Sequence, residues 1–223
     1  MLGSIGTRET FGPYLPVVPA TTVIGALSSS LGGSVAAIIG AAAGFAWGVL
    51  IGFAAIRLNR LMPRLAGCWL FIAAFIATTL FGGTLFAMLL YGAERTPEGM
   101  LGLMRAPLKG GFTFFVIFNS LMEWFVIPVA LFLNWQHPLR RPLLIACAVL
   151  SYLSRAWSYL YFVPQILRFM VMRTGASISD DMARSVSNWV NLSWLRCLID
   201  GVTAILFLRA AARCDQIVIE SNV

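Results

Sequence analysis

From Thr10 through Ile56 this chain carries no Asp, Glu, Lys or Arg. A segment of that length without a charge does not belong on a surface facing water, where soluble domains carry about 25% charged residues. Over all 223 residues the hydrophobic share is 59%, the charged share 11% and the mean hydropathy +0.84. Lipid is the solvent that accommodates such a composition, and each helical crossing of it needs about 20 apolar residues. The expected fold class is therefore all-α, a polytopic transmembrane helix bundle in a single integral membrane domain.

Five spans fit the pattern, at about Ser34–Ile56, Ala66–Tyr91, Phe112–Trp135, Pro142–Val163 and Asn188–Leu208. Pro13, Pro16 and Pro19 disfavour another spanning helix over residues 12–33, so residues 1–33 are expected to form an irregular or re-entrant lead-in, with a sixth crossing as the alternative. The segment MLGLMRAPLKGG is expected as a short helix in the headgroup region. Five crossings put Arg57, Arg60, Arg64, Arg140, Arg141, Arg209 and Arg213 on one side, packed into short loops. Positive charge close to helix ends marks the cytoplasmic face. That predicts a multi-pass protein with its N-terminus outside and its C-terminus cytoplasmic.

Several function classes are excluded. The net charge of +7 sits at helix ends rather than in a basic stripe with interleaved aromatics, so no nucleic-acid partner is expected. The four cysteines contain no CxxC pair, and no metal site is expected. The lone His137 lies in the turn NWQHPLRR and cannot supply the imidazole sets of haem or di-iron enzymes. No P-loop, HExxH or Ser–His–Asp set is present, and no cofactor is implied. The N-terminus does not read as a cleaved signal peptide.

Gly40, Gly44, Gly48 and Gly52 recur every fourth residue in the first span. Small side chains let helix backbones approach closely in lipid. The ladder is open to two roles: packing inside the bundle, or a seam with a second copy or a membrane subunit partner.

The last three spans carry polar stripes. Trp189, Ser193, Arg196, Asp200 and Thr203 share one face of a helix through alternating steps of four and three. Ser151, Arg155, Ser158, Phe162 and Gln165 do the same, flanked by Trp157, Tyr159 and Tyr161; Asn119 and Glu123 face together in the third span. An Arg at mid-membrane costs about 2.5–3.5 kcal/mol. Asp200, one turn from Arg196, is expected to offset part of that cost by pairing. Membrane ions turn inward, and two readings are open: a buried ionic network that fixes helix register and orientation, or the lining of a cavity that binds a polar group or moves protons. Glu123, Arg155, Arg196 and Asp200 are the candidate catalytic groups: an acid as proton acceptor, an arginine to stabilise an oxyanion or phenolate. Asn119, Ser158, Tyr159, Gln165, Trp189 and Ser193 are the candidate ligand-binding groups.

The segment WVNLSWLR, with Trp189, Ser193 and Arg196, and the segment VPQILRF, with Pro164 and Gln165, resemble the anthrone-oxygenase-like family of small integral membrane proteins. The resemblance covers about residues 150–212. Ser193 stands where that family has an Asn or His, and Gln165 where it has an Asn, so only Trp189 and Arg196 carry across. It implies a helical bundle and cofactor-independent oxidation of a polycyclic phenol. The residues themselves point to an intramembrane polar site for a small, largely apolar ligand. The alternatives are a non-catalytic accessory subunit joined through the glycine ladder and a small transporter. The transporter is disfavoured because neither an internal repeat nor matched proline-interrupted helices are visible.

Overall fold

A computed structural model of the protein describes residues 12–62, 64–105, 111–171 and 178–213. Among these residues the structure is helical: α1 Tyr14–Ser29, α2 Ser34–Leu61, α3 Leu65–Ala93, the short α4 Pro97–Arg105, α5 from Gly111 to Asn134, α6 from Arg141 to Val171, and α7 Asp180–Ala212. Five segments are long and apolar enough to cross a membrane: Tyr14–Gly32, Ser34–Leu61, Leu65–Ala93, Thr113–Asn134 and Arg141–Val171. Their outward faces expose Ile38, Phe53, Phe75 and Leu153. This is the architecture of a multi-pass membrane protein in contact with lipid.

The membership of that set differs from the sequence expectation. Residues 14–29 form a helix, not an irregular lead-in; residues 1–11 lie outside the described residues. Pro16 falls in the first turn, where the missing N–H has no intrahelical acceptor anyway, and only Pro19 removes an interior bond. Conversely α7, whose middle carries Arg196 and Asp200, falls outside the set of five. It is a continuous helix of 33 residues that begins eight residues before the expected Asn188. Ser179 caps it, its Oγ accepting from the Met182 N–H at 3.4 Å, and Asp180 and Asp181 occupy the positive first turn.

The glycine ladder is used within the chain. The turn between α1 and α2 passes through Gly33 at φ 90°, a conformation that L side chains rarely adopt. It folds α1 back along α2. Gly40 then meets the Gly25 carbonyl and Gly44 the Thr21 carbonyl; Gly48 lies against Thr21 and Val18, and Gly52 against Phe132 and Tyr14. All four are buried. The glycine face is therefore covered chiefly by α1 of the same chain.

One end of the bundle is basic and tied together. Asn134 donates to the Ala66 carbonyl at 3.4 Å, and Arg140 donates to Asn134 Oδ1 at 3.2 Å and to the Arg213 carbonyl at 3.3 Å. Arg213 donates in turn to the Leu139 carbonyl. The start of α1 reaches the same end, with Tyr14 edge-on to Phe132 at 4.8 Å and Gly12 against Trp135. Both ends of the described chain thus lie together. The termini themselves, in residues 1–11 and 214–223, lie outside the described residues.

Two helices widen in mid-course. Met122–Val126 in α5 and Ser158–Phe162 in α6 are π-helical turns, and Pro128 and Pro164 follow each by two residues. A proline ring collides with the carbonyl four residues back, and a wider turn relieves the collision. The helix α6 accordingly runs on past Pro164, where the sequence suggests an end. The matched proline interruptions that seemed absent from the sequence are therefore present, although they lie in adjacent helices. Neighbouring side chains take up the bulged backbone. The Trp47 indole donates to the Trp124 carbonyl at 2.8 Å, Trp69 to Val126 at 3.2 Å and the Tyr152 hydroxyl to Glu123 at 2.9 Å.

Candidate intramembrane binding site

The two π-turns sit at the centre of the molecule and aim its polar groups. Glu123 lies in the first, and Ser158, Tyr159 and Phe162 lie in the second. The Tyr159 hydroxyl donates to Glu123 Oε1 at 2.8 Å, which joins the two bulges directly. Glu123 is 1% exposed, and its Oε2 is enclosed without a partner. π-Turns inside α-helices cluster at functional sites because the extra residue re-aims side chains that a regular helix would place elsewhere.

Two spaces adjoin this junction. The smaller is a space of about 20 Å³, the size of one water, bordered by Asn119, Glu123, Ser151, Arg155, Asp200 and Thr203 together with apolar side chains such as Leu80 and Met122. The larger is a cavity of about 600 Å³ between α3, α4, α5, α6 and α7. Asn119 and Arg155 border both. The larger cavity is walled chiefly by apolar side chains such as Ala87, Met104 and Phe115, with Ser158, Tyr159, Ser193 and Arg196 interrupting them. Its volume falls in the range of about 300–1,000 Å³ typical of ligand sites. Phe86, Leu90 and Val116 border the cavity and are also exposed on the outer face, at 64%, 40% and 46%. Its mouth therefore opens sideways, through apolar residues, at the level of the spans.

The aromatic floor is continuous. Phe162 packs edge-on against Trp157, Tyr161 and Trp189, and Trp189 against Tyr91. The Arg196 guanidinium lies over the Phe162 ring, 4.4 Å from its centroid. The Trp189 indole donates to the Phe162 carbonyl at 3.4 Å. Ser158 and Ser193 spend their protons on carbonyls one turn back, at 2.7 and 2.8 Å, which leaves oxygen lone pairs toward the cavity.

The charges do not pair as their spacing suggests. Among the described residues no carboxylate oxygen lies within 4.0 Å of Arg155 or Arg196, and the ion pair present is the exposed Arg184–Asp181. Asp200 instead accepts from Thr84 of α3 at 3.1 Å. The reason is directional: helical side chains lean toward the N-terminus, so Arg196 reaches toward Ser193 and away from Asp200. Arg196→Leu and Asp200→Leu are accordingly expected to destabilise independently. A double-mutant cycle on thermal unfolding should return a coupling below about 1 kcal/mol, and a larger coupling would show that they pair.

Most of the expected site residues converge. Asn119, Arg155, Ser158, Tyr159, Trp189, Ser193 and Arg196 border the large cavity. Glu123 and Asp200 border the small void instead, and Glu123 communicates with the cavity through Tyr159. Gln165 borders neither space, and its Oε1 is enclosed without a partner. Sequence spacing missed Thr84, Tyr91 and Ser120, which carry no stripe of their own, and the contribution of α4 through Leu103 and Met104. Comparisons of the chain with protein-family models, with curated proteins and with solved structures find no match.

Proposed function

We propose that this membrane protein binds, inside the bilayer, a small and largely apolar molecule carrying one polar group. The observation that carries this reading is the roughly 600 Å³, largely apolar cavity that Arg155 and Arg196 both border. A buried cation with no ion-pair partner is expensive, and such groups in membrane helices serve ligands or ions by default. The sideways mouth gives a lipid-dissolved molecule direct access. The basic end of the bundle, with Arg57, Arg60 and Arg64 near the α2–α3 turn, is taken as the cytoplasmic face.

Native mass spectrometry of protein purified from its own membrane tests the reading. A bound small molecule is expected at up to one copy per chain, and blocking the cavity with Ala87→Trp should abolish it. Bare protein under gentle extraction, or a ligand retained in Ala87→Trp, would contradict the proposal.

A second reading, cofactor-independent oxidation of a bound phenol, draws support from one observation. Trp189, Ser193 and Arg196, which carry the family resemblance, all border the cavity. In that case Tyr159 would relay the phenol proton to Glu123, Arg196 would hold the phenolate, and dissolved dioxygen would be the oxidant that takes its electrons. A non-catalytic accessory role loses its main support, since the glycine ladder is spent on α1.

A further inference from the structure

We propose that the ligand of this cavity is anionic: a single-tailed amphiphile whose carboxylate or phosphate head lies between Arg155 and Arg196. Its tail would run along the apolar wall to the mouth at Phe86, Leu90 and Val116. The inference rests on the binding-site reading above and names the chemistry of the molecule bound.

The argument starts from the distribution of charge around the cavity. Arg155 is 7% exposed and Arg196 has its Nε enclosed without a hydrogen-bond partner. Both guanidiniums border the same space, and neither has a carboxylate within 4.0 Å. The two nearby acids face the smaller void, where Glu123 is held by Tyr159 and Asp200 by Thr84. Among the described residues, the side chains bordering the large cavity supply two positive charges and no negative one. Like charges in a medium of low polarity repel strongly, and an anion placed between them converts that repulsion into two attractions.

The choice of head follows from donor geometry. Guanidinium carries its N–H groups in a planar fork that matches the two oxygens of a carboxylate or of a phosphate edge. Asn119 and Ser158 border the same cavity and add neutral polar groups. A neutral head would leave both cations unmatched, and a cationic head would add a third like charge. Much of the remaining wall, including Met88, Phe115, Val163 and Ile166, offers apolar contact suited to a hydrocarbon tail. The sideways mouth lets the tail enter from lipid while the head travels inward to the guanidiniums.

The test uses the full chain in neutral maltoside micelles and four probes of equal tail length: hexadecanoate, hexadecyl phosphate, hexadecanol and hexadecyltrimethylammonium. Hexadecanoate or hexadecyl phosphate is expected to bind roughly tenfold or more tightly than hexadecanol, with the cation weakest, because a hydrogen bond to a charged group is worth about that factor. Which of the two anions binds tighter assigns the head as carboxylate or phosphate. Arg155→Gln and Arg196→Gln should each erase most of the anion preference, read in the same variant as the ratio of anion affinity to hexadecanol affinity. Arg155→Lys, which keeps the charge but not the fork, should restore part of it and guards against loss through misfolding. Equal binding of hexadecanol and both anions, or an anion preference untouched in the Gln variants, would overturn the proposal while leaving the binding site standing. Failure of all four probes to bind would remove the site itself.

Discussion

Gly44→Leu is expected to lower the stability of the bundle by about 3 kcal/mol, the upper part of the range for overpacking a closely packed site. A side chain at Gly44 would run into the Thr21 carbonyl and Thr22 Cα of α1. Those are backbone atoms and cannot swing aside as a flexible side chain would. Accommodation therefore requires α1 to move away from α2, which also parts Gly40 from Gly25. The midpoint of thermal unfolding in detergent should fall, and the yield of monodisperse protein with it. Ile38→Ala on the same helix is a suitable control, since Ile38 is 70% exposed and faces lipid. An unchanged midpoint accompanied by a smaller oligomer would mean that the glycines serve a second copy instead.

An effect at least as large is expected at Phe162. This ring is 2% exposed, closes the second π-turn and contacts Trp157, Tyr161 and Trp189 while supporting Arg196 from below. Phe162→Ala should cost about 3–5 kcal/mol through lost burial and the cavity left behind. It would also release Arg196 from the ring face. Phe162→Leu, which keeps much of the volume, should cost less than half as much and still weaken ligand retention through loss of the cation–π contact. Denaturant unfolding followed by tryptophan fluorescence measures both. A change within about 1 kcal/mol for the Ala variant would show that the aromatic floor does not hold the site together.

The inward stripes were legible in the sequence because helical spacing decides them. Trp189, Ser193 and Thr203 are buried, as steps of four and three require, and Arg196 and Asp200 point into the two central spaces. What spacing could not show was the partner of each group. Arg196 and Asp200 are neighbours along the chain, yet Asp200 is satisfied by Thr84, 116 residues away. Proline counting misled in the opposite direction at two places. In α1 it overstated the obstacle, because Pro16 sits where no bond is lost. In α5 and α6 it concealed a device, since Pro128 and Pro164 each close a π-turn instead of ending a helix. The Tyr159–Glu123 bond depends on both turns, and no local pattern announces it. The glycine ladder was plain in sequence, but its occupant was not, because that occupant is the helix judged unlikely to form.

The central claim is that unpaired Arg155 and Arg196 face a ligand cavity between α3, α5, α6 and α7. The most direct test is an experimental density map of the protein purified gently from its native membrane. The account predicts elongated density in the cavity, with one end within hydrogen-bond distance of both guanidiniums and the other near Phe86 and Val116. A map in which Arg155 and Arg196 form ion pairs with Glu123 and Asp200, across a centre closed by side chains, would contradict it.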